Sequence, residues 1–117
     1  MARVNVKRVY EPRSRGDGQR VLVDRVWPRG VSKEKLSDAI WLKEVAPSTQ
    51  LRKWFGHRPE RWTEFRKRYA AELDRNPEAI AKLRALSARR PVTLLYAARD
   101  EEHNQAVALA EYLAARR

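Results

Sequence analysis

Val21-Leu22-Val23-Asp24-Arg25-Val26-Trp27-Pro28-Arg29-Gly30 passes from an apolar, β-branched run into concentrated polar chemistry within a few residues. The run predicts a strand over Arg20 to Val26, which Pro28 and Gly30 then stop and turn. Asp24, Arg25, Trp27 and Arg29 are thereby crowded at the strand's carboxyl end. In open parallel α/β sheets ligands sit at that end, so a carboxylate, two guanidiniums and an indole there make a candidate site.

Working outward, Val92-Thr93-Leu94-Leu95-Tyr96-Ala97-Ala98 is a continuous apolar run of the kind buried on both faces of a parallel sheet. Val4 to Tyr10 alternates well enough for a first strand, and Ala39-Ile40-Trp41-Leu42 reads as a short third one. Long crossovers between these strands predict an α/β fold: a small single domain over residues 1–117, with a mainly parallel sheet of about four strands flanked by helices. If the strands at Val21 to Val26 and Val92 to Ala98 are neighbours, Asp24 and Arg25 meet Arg99, Asp100 and His103.

The helices announce themselves by punctuation. Pro47-Ser48-Thr49 opens a helical turn holding Leu51, Trp54 and Phe55, with Gly56 as its C-cap and Pro59 starting the next element. Trp62, Phe65, Tyr69 and Leu73 then recur on one face, with Glu64 and Arg68 spaced i,i+4 on the other. Asn76-Pro77-Glu78 predicts an Asn cap for a helix burying Ile80, Leu83 and Leu86, and Pro91 closes it. Asp100 is expected to cap a last helix with Ala106, Leu109, Ala110 and Leu113 inward and a fraying basic end at Ala114-Ala115-Arg116-Arg117. Ser32 is expected to cap a turn of helix through Lys33 to Leu36. Arg13 to Gln19, which contains Arg15-Gly16-Asp17, is expected to be an exposed, flexible turn.

The 117 residues match one ordinary domain, and a 43% hydrophobic fraction with four Trp excludes a disordered chain. No apolar run approaches a membrane span, and the opening Met1-Ala2-Arg3-Val4 has no signal-peptide core, so a cytoplasmic protein without membrane association is expected. The absence of Cys removes disulfides, thiolate nucleophiles and thiolate metal ligands. The net charge of +11 raises anionic nucleotides, nucleic acid and acidic proteins as partners. The excess lies in the first 90 residues, where Arg interleaved with Glu also describes a solvated, partly paired helix surface.

Asp24 beside Arg25 reads equally as a carboxylate with an anion clamp and as an ion pair tying a strand end to a helix, since charges in an apolar strand must be satisfied by something. Trp27 and Arg29 suit a ligand that is stacked and forked, although packing accounts for Trp27 as well. His103 suits a general base or, more simply, a capping histidine. His57 and His103 lack ligand spacing, so no metal site is expected. Ser48 has no nucleophile elbow and Gly16-Asp17-Gly18 is no phosphate or dinucleotide loop, which disfavours serine hydrolases, P-loop NTPases and nicotinamide enzymes. No cofactor is expected. Arg52, Lys53, Trp54, His57, Arg61 and Trp62 combine cations with aromatics as single-strand binders do, but helical spacing assigns both Trp to the core first.

Leu22 to Gly30, Trp41 to Ser48, Leu51 to His57 and Leu94 to Ala106 together closely resemble the YeaO-like branch of the DUF488 family of small bacterial proteins, over nearly the whole chain. The resemblance implies an α/β fold and leaves the activity open. The wider family's shared polar residues gather near the same strand ends, which suits Asp24, Arg25, Arg29, Asp100, His103 and Asn104 here. Broader relatives often carry Cys-His-Arg where this chain has Glu102-His103-Asn104, so their thiol chemistry does not carry over.

The expectation is a protein binding a small anionic ligand, a nucleotide or phosphate ester, at the carboxyl ends of the strands. Arg25 and Arg29 would hold the anion, Trp27 would stack, and Asp24 with His103 would orient the ligand or move a proton. Arg99, Asp100 and Asn104 complete the ligand-facing set, and whether bonds are made is left open. The alternatives are a non-catalytic module that meets nucleic acid through its basic surface, and an interaction domain whose charged cluster only locks the fold.

Overall fold

The computed structural model describes residues 4–115. Four strands, β1 (Val4–Arg8), β2 (Gln19–Leu22), β3 (Ile40–Trp41) and β4 (Val92–Tyr96), form one all-parallel sheet in the order β1-β4-β2-β3. The helices are α1 (Thr49–Phe55), α2 (Trp62–Asp74), α3 (Pro77–Arg89) and α4 (Gln105–Ala115). The apolar runs at Val21 and Val92 are adjacent central strands, with Val21 opposite Leu94 and Leu22 opposite Leu95. Among the described residues, no helix is long and apolar enough to cross a membrane.

Strand alternation sorts the core into two layers. Val21 and Val23 of the β2 run, with Val92, Leu94 and Tyr96 of β4, face a large cluster that takes in Phe55 of α1, Phe65 and Tyr69 of α2, Leu83 of α3 and Leu109 of α4. Leu22 and Leu95 point the other way, into a smaller cluster with Val9, Val31 and Leu36. The helices collect on one face. The other is covered by the irregular connection from β2 to β3, where Ser32 Oγ accepts from Lys35 N over a turn that never becomes a helix.

The expected strand to Val26 stops earlier. Val23 still donates to Leu95 O at 3.1 Å, but the next step of the ladder passes to a side chain, as Asp24 Oδ2 accepts from Ala97 N at 3.0 Å. The Arg15–Asp17 turn is likewise locked rather than flexible. Asp17 is buried, its carboxylate pairs with Lys7 at 2.8 Å and accepts from Ser14 N and Oγ, and its carbonyl accepts from Thr93 Oγ1. Burial opposes the charge of Asp17, yet the Lys7 and Ser14 hydrogen bonds outweigh it and hold the carboxyl below its ordinary range.

Caps differ in detail. Ser48 Oγ caps α1 by accepting from Leu51 N, and Gly56 ends it in the left-handed region. Asn76 precedes Pro77 as expected, but its side chain donates to Glu44 O instead of capping α3. Asp100 closes a turn ahead of α4, accepting from Glu102 N and His103 N, while Asn104 Oδ1 accepts from Val107 N and is the actual cap. At the last helix's end, Ala114 and Ala115 belong to α4, and Arg116 and Arg117 lie outside the described residues, as does the Met1-Ala2-Arg3 start.

Candidate functional site

A cavity of about 550 Å³ opens where the carboxyl ends of β2 and β4 meet the start of α4. Asp24 to Arg29 form one wall, Ala46 and Pro47 with Arg52, Phe55 and His57 a second, and Ala97, Ala98 and His103 to Gln105 a third. The fold makes this hollow because parallel strands end together there, and because α4 begins only after an eight-residue turn beyond β4. Phe55 and Phe65, ring centroids 4.4 Å apart and both buried, give it an apolar floor.

Asp24 is the cavity's one carboxylate. Its Oδ2 takes the Ala97 amide and its Oδ1 takes the Gln105 side-chain amide, so it joins β2 to β4 and to the first residue of α4. Its backbone carbonyl accepts from Trp41 Nε1 at 2.7 Å, adding β3 to the same junction. Burial pushes the carboxyl up from 3.8 to about 6, against the pull of Ala97, Gln105 and the nearby Arg52 charge.

Arg25 reaches sideways rather than into open space. Its Nε donates to Pro47 O and its Nη2 to Ala46 O, both at 3.1 Å, which fixes the approach to α1. Trp27 donates to Val31 O at 2.7 Å and stands edge-on to Trp41, centroids 5.3 Å apart. Arg29 lines the cavity with an exposed side chain, and its carbonyl accepts from Tyr10 Oη. Arg52, one turn before Phe55 on α1, lines the opposite wall. Among the described residues, neither Arg29 nor Arg52 has an ion pair or a side-chain hydrogen bond.

His103 lines the cavity, backed by Asp100 and Trp62. Its Nδ1 lies 2.9 Å from Asp100 Oδ2, and its ring is edge-on to Trp62 at 5.3 Å. The Glu102 amide, more than His103 itself, holds the Asp100 carboxyl below its ordinary range, so Asp100 is ionised and accepts the Nδ1–H. Asp100 thus stands behind His103, outside the wall, and Arg99 is exposed and away from it. Asn104 is buried on the wall with both amide atoms occupied, donating to Asp100 O and capping α4. Sequence reasoning left out Gln105, whose only signal is its place beside the cap. It grouped Arg52 and His57 with the cations and aromatics of a single-strand binder, because helical spacing alone does not reveal which face of α1 meets the strand ends. No group of three or more His, Asp or Glu gathers as a metal site among the described residues.

A family model described as the inactive DUF488-N3 subclade matches residues 3–117. The chain belongs to that subclade. The chain is similar to an uncharacterised protein of Mycobacterium tuberculosis, 49% identical over 95% of this chain and 93% of its own length. The uncharacterised YeaO of Escherichia coli is similar at 42% identity, over 94% of this chain and 96% of its own. No solved structure matches. The family resemblance read from the motifs around Asp24 and His103 is therefore confirmed at the level of family and fold.

Proposed function

We propose that this DUF488-N3 domain binds a small organic anion, a nucleotide or phosphate ester, in the cavity at the strand ends, without making or breaking bonds in it. One observation carries the reading. The only carboxylate on the wall has both oxygens committed to Ala97 and Gln105, whereas Arg29 and Arg52 line the same space with no salt bridge or side-chain hydrogen bond of their own among the described residues. Guanidiniums left without a partner at a pocket wall attract a bidentate oxyanion. His57 and His103 bring ring nitrogens to two further parts of the lining.

Catalysis is the less favoured part of the earlier expectation. Asp24 has both carboxylate oxygens in hydrogen bonds that join elements of the fold, and the subclade's description as inactive points away from catalysis. The basic-surface alternative draws on Trp54, but its ring carries the guanidiniums of Arg61 and Arg68 at 5.0 and 4.2 Å. The Trp54 face that would stack a base is thus already occupied by guanidiniums.

The test is a thermal-shift screen against nucleotides, phosphate esters and short oligonucleotides at low and high salt. A shift from a small anion that survives salt and is lost in Arg52→Ala supports the pocket. Shifts from oligonucleotides alone, vanishing with salt, transfer the function to the basic surface.

A further inference from the structure

Resting on the pocket reading, the hydrogen-bond capacity of the wall narrows the ligand. A ligand rich in hydroxyls needs neutral donors and acceptors to replace the water it gives up, because unpaired polar groups in a pocket cost affinity. This wall has few to offer. Asp24 is satisfied at both oxygens, Asn104 at both ends of its amide, and Trp27 at its indole N–H. Arg25 keeps Nη1 and the second hydrogen of Nη2, and Gln105 keeps its amide oxygen and its second N–H. Beyond these, the polar lining is mostly cationic or aromatic: Arg29, Arg52, the two imidazoles and the Tyr10 phenol, whose hydrogen goes to Arg29 O.

The rest of the wall is apolar, and one part of it is left in water. Val26 is 61% exposed, three residues beyond Val23, where the fully buried part of the β2 run ends. It lines the cavity together with Pro28, Pro47, Phe55 and Ala97. An exposed aliphatic side chain on the lining of a pocket that also holds two guanidiniums without salt bridges matches an amphipathic molecule.

We propose that the ligand is an anion with an apolar or aromatic body and few hydroxyls, such as an aryl phosphate, its charge between Arg29 and Arg52 and its body against Val26 and the apolar wall. Polyhydroxylated sugar phosphates and bare phosphate are the classes this wall discriminates against.

Three probes of matched charge test this by calorimetric titration of the full chain: phenyl phosphate, glucose 6-phosphate and inorganic phosphate. Phenyl phosphate is expected to bind about tenfold or more tightly than either of the others, from burial of its ring. In Val26→Asn, an exposed position where the fold tolerates the change, the advantage is expected to shrink while inorganic phosphate affinity holds. Val26→Ala serves as the milder control. Glucose 6-phosphate binding as tightly as phenyl phosphate, or an advantage untouched by Val26→Asn, overturns the ligand class while leaving an anion site in place. Failure of all three probes to bind removes the pocket reading as well.

Discussion

Asp24, two residues past the end of β2, accepts the backbone amide of Ala97, one residue past the end of β4, at 3.0 Å. A side chain thus extends a backbone ladder, and it is a carboxylate whose ionised form is disfavoured by burial. In the folded protein this group keeps its proton up to about pH 6, whereas its ordinary value is 3.8. The native state therefore binds more protons than the unfolded chain between these values, and stability falls as pH rises through that window.

Asp24→Asn is expected to flatten this slope. Asparagine offers an oxygen to Ala97 and, with the Gln105 amide turned over, an N–H to its oxygen. At neutral pH the variant should be at least as stable as the parent, gaining up to ~3 kcal/mol from the removed charge burial. Urea unfolding across the window measures it. A loss beyond ~1 kcal/mol at neutral pH would show that the junction needs the negative charge.

Arg25 and Arg52 should separate cleanly. Arg25→Ala leaves the carbonyls of Ala46 and Pro47 without their donor and is expected to cost about 1–3 kcal/mol in denaturant unfolding. Arg52→Ala, exposed and unpaired, should change stability by less than about 0.5 kcal/mol while weakening anion binding. Equal stability effects in the two would contradict the division between wall and ligand contact.

Gly18 tests the anchoring of the Arg15–Asp17 turn. Its φ is +64°, and a Cβ there would fall 2.0 Å from the Pro91 carbonyl oxygen, on the bond where Gln19 N meets Pro91 O. Gly18→Ala is expected to destabilise by ~2 kcal/mol or more. A melting temperature unchanged within error would show that β2 can shift away from β4 without loss.

Trp41→Phe keeps a ring against Trp27 and deletes the N–H that reaches the Asp24 carbonyl. The expected loss is ~1 kcal/mol, read by chemical denaturation. A value near zero would mean that solvent replaces the donor at this exposed edge.

The sheet was legible because Val21 and Val92 head unbroken apolar runs, and the helices because Ser48, Gly56 and Pro77 punctuate them. Where the strand ended was not legible: Asp24 leaves the ladder through a bond to a residue 73 positions away. Caps failed for a related reason. Asn76 and Asp100 have the right chemistry for capping, but Glu44 O and the His103 turn compete for them, and only tertiary structure decides such competitions. Proximity to strand ends placed Asp24, Arg29 and His103 on one cavity. The same proximity overreached for Arg99, which leaves the sheet pointing outward.

The uneven covering of the sheet bears on how the protein opens. The face opposite the helices is held by a connection with few ladder bonds and a small core of Val31, Leu36 and Trp27. Such a segment is expected to exchange its amide hydrogens faster than the helical layer, through local opening. Because Trp27 and Arg29 belong to it, breathing of this flap would widen the cavity mouth while the large core stays shut.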